Sequence, residues 1–470
     1  MRATCAATSK GHIARMNRVS AGRVVVQCRA AAPAERAPLS NRRQLIAWYA
    51  AFAAFAGLVF ATSGEPLQWI WAVWAVGGYA LAALTVALWQ SRGREAALVI
   101  ALAGAFAAPL AWQLTIGRTM SKAGEDSLTV VARSAVHLLQ HGSPYLSADQ
   151  ISHVLQYNPY EPAMAIFGLP AAVALHGAVG NPALWMGITT AAVLAAAFRL
   201  ARPGSAMRCT VFAFGSPVLA LPLTQGLTDP PVLALLCLAL ACTGAPKQRR
   251  RQLAAAIALG AACAIKATAW PALPVIAAML AVRDGARTAT RFVLTAAITT
   301  TALVVATAPA SLASPAALFQ NTVLFPLGMA RYETDAQSPL PGHLLAATGS
   351  AGRWAAVGLL CAVGLAMGVS LIVQPPADIK AAAWRLAVTL ALLFTLAPAT
   401  RWGYFVYPAA LLGFVNITGS ANPRWRTVLR HRDRPERLGI QLISLTQDHG
   451  QPVAGLDSRL APVVPVTAET

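Results

Sequence analysis

The sequence predicts an all-α protein, a polytopic bundle of about twelve transmembrane helices. Hydrophobic residues make up 57% of the chain and charged residues 11%, whereas a soluble domain carries about 25% charged residues. The apolar residues form long runs such as Leu67–Trp89 and Trp354–Val373, each long enough to cross a hydrocarbon core, which takes roughly 17–25 residues. A chain of this composition cannot cover a water-facing surface.

The net charge of +20 arises from 37 Lys and Arg against 17 Asp and Glu. In a soluble protein this excess would indicate nucleic-acid binding. Here the basic residues fall in the breaks between apolar runs, which is the distribution that the positive-inside rule produces. We therefore expect membrane lipid as a partner and no nucleic acid. The seven cysteines lie in the basic tail or in and beside apolar runs, so they indicate neither a disulfide framework nor a zinc site.

The basic breaks also predict the topology. The basic tail places the N-terminus in the cytoplasm. Two apolar stretches, 159–176 and 183–198, lie between the first long outer loop and the basic break at Arg199. The loop is predicted outside and the break inside, so the chain must cross the membrane an odd number of times between them. We therefore expect the proline-rich first stretch to be broken or to enter the membrane only to half its depth. Residues 253–282 form a predicted hairpin with Lys266 at its outer bend. The other predicted spans are 46–62, 67–90, 96–115, 208–222, 231–244, 292–308, 354–373, 382–399 and 404–419.

Three regions follow from this pattern. Residues 1–43 are a predicted disordered cytoplasmic tail, residues 44–420 the transmembrane domain, and residues 421–470 a second disordered cytoplasmic tail. The first tail is basic and almost without acid, so it would also fit an organelle targeting peptide. The prediction is a multi-pass plasma-membrane protein with both termini in the cytoplasm.

Acidic residues are concentrated on the predicted outer side, which holds eight of the 17: Glu65, Glu125, Asp126, Asp149, Glu161, Asp229, Glu333 and Asp335. The first long outer loop, about 117–158, contains apolar residues at helical spacing from Leu128 to Leu139, which predicts an amphipathic helix on the membrane surface. Glu125 and Asp126 precede it. Both suit helix capping, and for Asp126 a role as general base competes with that interpretation.

Lys266 lies between two apolar stretches on the predicted outer side. An ionisable group at that depth is costly and therefore a functional candidate, although a lysine there can also extend its ammonium to the lipid headgroups. The segment Tyr157–Pro162 opens the next apolar stretch, and its prolines and aromatic residues suit either a binding segment or an aromatic belt before a helix. Gln225 and Asp229 lie where one span emerges and the next begins, where Asp229 also suits a helix cap.

These motifs, in this order, resemble the actinobacterial integral-membrane mannosyltransferases of the GT-C fold, which use polyprenyl-phosphate mannose as donor. Members carry an acidic residue early in the first large outer loop, then an amphipathic segment ending in a Gly-x-Pro-Tyr-like turn, then a Tyr-x-Tyr-Pro-Pro-like entry to the next helix. Asp126, Gly142–Tyr145 and Tyr157–Pro162 look like these elements. Gln225–Asp229 looks like the family's Gly-Gln-x-Asp-like turn, and Ala262–Ala267 looks like its Ala-x-x-Lys-Pro-like segment.

The resemblance implies a glycosyltransferase that moves a hexose, most simply mannose, from a polyprenyl-phosphate sugar to a glycolipid or polysaccharide on the outer face of the cytoplasmic membrane. It implies Asp126 as catalytic base, with Glu125 beside it, and no metal or other cofactor. A base is needed because the acceptor hydroxyl loses its proton as it attacks the anomeric carbon. The leaving phosphate needs cations, for which the candidates are Lys266, Arg331, His343 and Arg401. The substrate-binding candidates are Tyr145, Tyr157, Tyr160, Glu161, Gln225 and Asp229.

Two other function classes stay open. A transporter or flippase for a lipid-linked sugar would show internal repeats and ionisable residues near the membrane midplane. The sequence has no clear repeat, and its predicted spans are nearly free of charge, so we rank this alternative second. A non-catalytic membrane scaffold ranks third, because it would leave the outer acidic residues and Lys266 without a role.

Overall fold

The computed structural model describes residue 39 and residues 41–89, 93–115, 126–173, 177–312 and 315–419. Their regular elements are helices, and the one β-type pairing among them is an isolated parallel bridge between Gln337 and Thr400. The predicted tails, 1–43 and 421–470, lie outside the described residues except for residues 39 and 41–43.

The α-helices are α1 Arg42–Thr62, α2 Pro66–Leu88, α3 Gly93–Leu102, α4 Ala108–Thr115, α5 Asp126–His141, α6 Leu169–Ala172, α7 Gly177–Gly180, α8 Pro182–Ala201, α9 Ala206–Phe214, α10 Pro217–Thr224, α11 Asp229–Cys242, α12 Arg249–Ile265, α13 Ala272–Asp284, α14 Ala286–Thr307, α15 Pro315–Phe319, α16 Pro341–Ala346, α17 Ser350–Val373, α18 Ile379–Leu396 and α19 Val406–Thr418. The π-helical segments are Ala103–Ala107, which joins α3 to α4, and Gln320–Leu324. The 3₁₀ segments are Ala148–Gln150, Val154–Gln156, Pro162–Gly168, Pro203–Ser205, Ala267–Ala269, Pro309–Leu312 and Trp402–Phe405.

Seven helices among the described residues are long and apolar enough to cross a membrane: α1, α2, α3 with its continuation to Trp112, α8, α14, α17 and α18. The pair α9 and α10, bent by 54°, makes an eighth if it counts as one span. The prediction of about twelve spans is therefore not confirmed. The predicted spans 231–244 and 404–419 form the helices α11 and α19, which have 14 and 13 residues. Helices of that length fall short of the ~17 residues needed for a crossing.

Proline and glycine produce these shorter elements. The predicted span 208–222 is divided at Gly215, where a Cβ would lie 3.2 Å from the backbone nitrogen of Leu102, and at Pro217, which starts α10. Proline lacks the N–H that would continue the preceding helix. The stretch expected to be broken, 159–176, forms the 3₁₀ segment Pro162–Gly168 and the single turn α6, whereas 183–198 becomes the 20-residue α8. The sequence therefore predicted correctly which of the two stretches is interrupted.

Two other local predictions are confirmed. The amphipathic segment forms α5, which ends before Gly142, whose φ is +69°. That left-handed conformation suits glycine because it has no Cβ. The predicted break at Lys266 is present, and it separates α12 from α13.

Small residues let the helices approach closely. A Cβ added to Gly78 of α2 would lie 2.8 Å from the Cα of Gly104 in the π-helical segment, and one added to Gly260 of α12 would lie 2.6 Å from the carbonyl oxygen of Ala296 in α14. Beside the first contact, Trp71 Nε1 donates to the carbonyl oxygen of Ala105 at 2.8 Å. Helix pairing through small residues is typical of membrane bundles.

The two long loops predicted on the outer side, about 117–158 and 309–353, contact each other. The rings of Tyr157 and Phe325 stack with centroids 4.3 Å apart and an interplanar angle of 9°. The backbone N–H of Asn158 donates to Asn321 Oδ1 at 2.8 Å. These contacts fix the segment before Pro162 against the second loop, and both loops border the cavity described next.

Candidate active site

A cavity of about 370 Å³ lies where the loop segment 154–160, the start of α11, the bend at Lys266 and the chain around Arg401 meet. Its volume falls within the roughly 300–1,000 Å³ of typical small-molecule sites. The polar residues that line it are Ser127, Tyr157, Tyr160, Thr228, Asp229, Lys266, Thr268, Thr322, Thr334, Asp335, Arg401 and Tyr404.

Lys266 is buried in this cavity wall. The helix α12 ends at Ile265, and Lys266 continues in an extended conformation with φ −156° and ψ 136°. Its side chain reaches the start of α11, where Nζ donates to Asp229 Oδ1 at 2.5 Å and to Thr228 Oγ1 at 3.3 Å. The residue is 8% exposed. Its ammonium is therefore enclosed by protein groups.

Asp229 is the first residue of α11 and is 4% exposed. Prolines follow at 230 and 231, and they suit the first turn because its N–H groups have no partners within the helix. The carboxylate pairs with Lys266 and lies near the Tyr407 hydroxyl, which accepts a 2.7 Å hydrogen bond from Thr268 Oγ1. Asp229 thus connects the start of α11 to the bend at Lys266 and approaches α19, which goes beyond a helix cap.

Two aromatic rings border the Lys266 ammonium. Nζ lies 5.6 Å from the ring centroid of Tyr160 and 5.4 Å from that of Tyr404, within cation–π range. Burial lowers the pKa of Lys266, but the neighbouring Asp229 carboxylate outweighs it and the pKa lies above its ordinary value. The Lys266 side chain is therefore an ammonium, and it faces the Asp229 carboxylate inside the protein.

One wall of the cavity is apolar. It includes Leu360 from α17 and Leu390, Leu393 and Phe394 from α18. The Phe394 ring lies 5.3 Å from the Tyr404 ring, so this wall adjoins the polar groups around Lys266. Both α17 and α18 are candidate spans by length and composition. The cavity therefore combines charged groups with an apolar wall.

Arg401 lines the exposed side of the cavity. Its position is set by pairing between the second loop and the chain after α18. Thr400 N donates to the carbonyl oxygen of Ala336 at 2.8 Å, and Ser338 N donates to the carbonyl oxygen of Thr400 at 3.0 Å. This pairing also brings the exposed Asp335 to the cavity lining.

The structure brings five of the predicted site residues together at the cavity: Tyr157, Tyr160, Asp229, Lys266 and Arg401. Five others do not line it: Tyr145, Glu161, Gln225, Arg331 and His343.

The predicted residues outside the lining have other contacts. The Tyr145 hydroxyl donates to the carbonyl oxygen of Tyr160 at 2.9 Å, so Tyr145 holds the Tyr160 segment from behind. His343 Nδ1 lies 3.1 Å from the carbonyl oxygen of Pro398, and the Arg331 guanidinium lies over the ring of Tyr332. Burial raises the pKa of Glu161 to about 7.

Of the two predicted catalytic carboxylates, Glu125 lies outside the described residues, and Asp126 is the first residue of α5. The next residue, Ser127, lines the cavity. The start of α5 is therefore at the cavity edge. Among the described residues, no group of three or more His, Cys, Asp and Glu is placed to hold a metal ion.

Sequence reasoning missed Tyr404, Tyr407, Thr228 and Asp335. Tyr404 and Tyr407 belong to a run that reads as the start of an apolar span, and aromatic residues there suit the membrane interface equally well. Their position three and six residues after Arg401, which was already a candidate, could have identified them as site residues. Thr228 could have been identified because it directly precedes the candidate Asp229.

Comparisons with known proteins give one match. No curated protein and no solved structure matches the chain. The model of glycosyltransferase family 87 matches residues 158–398, about half of the chain, and this range includes Tyr160, Asp229 and Lys266. The match favours a membrane glycosyltransferase over the transporter and the scaffold. The chain belongs to glycosyltransferase family 87.

Proposed function

We propose that the chain transfers a hexose, with mannose as the first candidate, from a polyprenyl-phosphate donor to a glycolipid or polysaccharide acceptor. The observation that carries this proposal is the cavity, which combines the ionic groups of Asp229, Lys266 and Arg401 with an apolar wall from two candidate spans. A lipid-linked sugar phosphate has the same two parts. A soluble sugar nucleotide has no chain to place against Leu360, Leu390 and Leu393. The choice of mannose is supported by the resemblance to GT-C mannosyltransferases.

In the proposed reaction the acceptor oxygen forms a bond to the anomeric carbon, and the bond from that carbon to the phosphate oxygen breaks. The acceptor proton passes to a carboxylate acting as general base. The electron pair leaves with the polyprenyl phosphate, whose charge Arg401 stabilises from the exposed side of the cavity.

Asp126 is the proposed base. It starts α5 beside the cavity-lining Ser127. The N-terminus of a helix favours a carboxylate over the neutral acid, which keeps the group ready to accept a proton. Glu125 is the second candidate, because it precedes Asp126 directly in the sequence.

The proposed orientation places the cavity on the outer face of the cytoplasmic membrane. The basic breaks near Arg199, Arg251 and Arg287 support this orientation, because basic loops stay in the cytoplasm. The donor would then enter laterally from the outer leaflet.

The test is sugar transfer by the purified full chain in lipid, with radiolabelled polyprenyl-phosphate mannose and a membrane-lipid extract as acceptor. The variants are Asp126→Asn and Glu125→Gln, with Glu333→Gln as the matched control, because Glu333 is an exposed outer acid that does not line the cavity. We expect Asp126→Asn to lower kcat by ~10²–10⁴-fold, the range for loss of a general base, and to leave donor binding intact.

Two outcomes would change the proposal. If wild type transfers no sugar, the donor assignment is wrong, and translocation of the lipid-linked sugar becomes the next measurement. If Asp126→Asn transfers at the full rate, the enzyme class stands and Asp126 is a helix cap.

A further inference from the structure

Lys266 is a weaker binding group for an anion than its positive charge alone suggests. An ammonium has three N–H donors, and two of those of Lys266 already serve Asp229 Oδ1 and Thr228 Oγ1, which leaves one for a ligand. A phosphate oxygen that approached Nζ would also approach the Asp229 carboxylate, 2.5 Å from it, and the two anions repel each other. Phosphate oxygens are hydrogen-bond acceptors, so they have nothing to donate to the carboxylate.

Neutral hydroxyl groups fit the same pair. A hydroxyl donates one hydrogen bond and accepts others, so neighbouring sugar hydroxyls can donate to the Asp229 carboxylate and accept from the Lys266 ammonium. Such hydrogen bonds to charged groups are about twice as strong as neutral ones. The rings of Tyr160 and Tyr404 flank the pair and give the C–H face of a sugar an apolar surface.

Tyr157 supplies an independent observation. It lines the cavity and is 1% exposed, and its hydroxyl has no hydrogen-bond partner in the described part of the chain. The stack on Phe325 fixes its ring. A buried hydroxyl without a partner is unfavourable, and a ligand hydroxyl would relieve the cost.

Arg401 is better suited than Lys266 to bind the donor phosphate. It lines the cavity from an exposed position and makes no ion pair with a described residue. A guanidinium binds phosphate through paired N–H donors and keeps its charge at all accessible pH values. Its field acts on an incoming anion without a nearby carboxylate bonded to it.

We propose that the Asp229–Lys266 pair, with Tyr157, binds hydroxyl groups of the donor hexose, and that the donor phosphate binds at Arg401. This assignment rests on the function proposed above and deepens it, because it makes Asp229 and Lys266 residues of sugar recognition. It also changes the role predicted for Lys266 from phosphate ligand to sugar ligand.

The test compares equilibrium binding of two tritiated ligands to the full chain in nanodiscs, polyprenyl methyl phosphate (the bare phosphate) and polyprenyl-phosphate mannose. Both are phosphodiesters with the same charge, whereas a phosphomonoester would carry more negative charge. No acceptor is present, so the donor sugar is what distinguishes the two ligands. The variants are Asp229→Asn with Lys266→Met, which leaves no unpaired charge, the milder Tyr157→Phe, and Arg401→Gln. Arg353→Gln is the matched control, an outer arginine away from the cavity that pairs with Glu333.

We expect wild type and the control to bind the mannosylated lipid ~10-fold more tightly than the bare phosphate, the effect of one hydrogen bond to a charged group. The double variant should lose this preference and keep wild-type affinity for the bare phosphate. Tyr157→Phe should reduce the preference about threefold. Arg401→Gln should weaken the binding of both ligands ~10-fold and leave the preference for the mannosylated lipid unchanged.

The inference is overturned if the double variant loses as much affinity for the bare phosphate as for the mannosylated lipid, or if wild type binds the two lipids equally tightly. Tyr157→Phe keeps the test decisive should the double variant fail to fold, because a preference unchanged in Tyr157→Phe contradicts the predicted contact. A wild type that binds neither lipid and transfers no sugar contradicts the proposed function itself, so the two failures are distinguishable.

Discussion

The structure contains two buried pairs of an aspartate and a cation that differ in their surroundings. Lys266 and Asp229 have side chains 10% and 6% exposed, and Arg283 and Asp284 have side chains 10% and 1% exposed. The first pair lies on the N-terminal side of α13, and the second lies at the C-terminal end of this helix, which is about 20 Å long at 1.5 Å per residue.

The second pair is enclosed by protein. Arg283 Nη1 donates to the carbonyl oxygen of Thr243 at 2.7 Å, Nη2 donates to Asp284 Oδ2 at 2.8 Å, and Gln252 Nε2 donates to the same oxygen at 2.9 Å. Asp284 Oδ1 is sealed from solvent without a partner. The pair does not line the cavity. It ties the ends of α11, α12 and α13 together.

Equal burial therefore does not mean equal function. The Lys266 pair borders a cavity and can still form hydrogen bonds to a ligand. In the Arg283 pair, the guanidinium N–H groups are bonded to groups at the ends of helices. A buried ion pair is costly when one partner is lost, so either pair can be essential for folding. What separates them is the cavity and its aromatic lining.

The largest expected effect is on stability at the second pair. Arg283→Met leaves the Asp284 carboxylate buried and unpaired, so we expect the free energy of unfolding to fall by about 3–5 kcal/mol. Thermal melting in detergent, followed by tryptophan fluorescence, measures this. Transfer per folded molecule should stay close to wild type, and a selective loss of activity would contradict the structural role.

The next effect is on activity at the first pair. Lys266→Met should lower kcat/KM for sugar transfer by at least ~10-fold, the effect of losing one hydrogen bond between a charged group and the sugar. Its melting temperature should fall less than that of Arg283→Met, because the cavity gives the Asp229 carboxylate access to water. Equal losses of melting temperature would show that the two pairs are both structural.

Glu161 extends the comparison to a partly buried acid with no ion-pair partner among the described residues. Burial raises its pKa from the ordinary 4.5 to about 7, so between these values the folded protein holds a proton that the unfolded chain releases. Stability should therefore fall as pH rises from 4.5 through 7. We expect the melting temperature to drop between pH 5 and pH 8 by more in wild type than in Glu161→Gln, and equal drops would contradict the buried position.

The smallest effect belongs to an exposed pair. Arg353 and Glu333 lie 3.4 Å apart with side chains 34% and 73% exposed. Glu333→Gln should change the free energy of unfolding by less than about 1 kcal/mol, because water and salt screen such pairs. A loss as large as that of Arg283→Met would show that exposure is a poor guide in this chain.

Much of the fold follows from local sequence. The apolar runs predicted the candidate spans α1, α2, α8, α14, α17 and α18 because hydropathy over 18 or more residues needs no knowledge of neighbours. Gly215 and Pro217 divided a run that hydropathy alone reads as continuous. The number of spans was therefore overestimated wherever proline shortened a helix.

The candidate site was predicted in part. The acidic outer face, the exposed bend and the aromatic segment pointed to Tyr157, Tyr160, Asp229, Lys266 and Arg401. The sequence did not show that Lys266 and Asp229, 37 residues apart, pair with each other. It also placed Arg331 and His343 with them, although neither lines the cavity.

The sequence by itself determined that this is a helical membrane protein with polar chemistry concentrated in a few outer segments, because composition and charge spacing act along the chain. Only the tertiary structure decided which of those segments share a cavity. Loops of this length have many conformations of similar energy, and contacts such as the Tyr157–Phe325 stack and the Thr400–Ala336 pairing select one of them. Those contacts join residues that no local pattern connects.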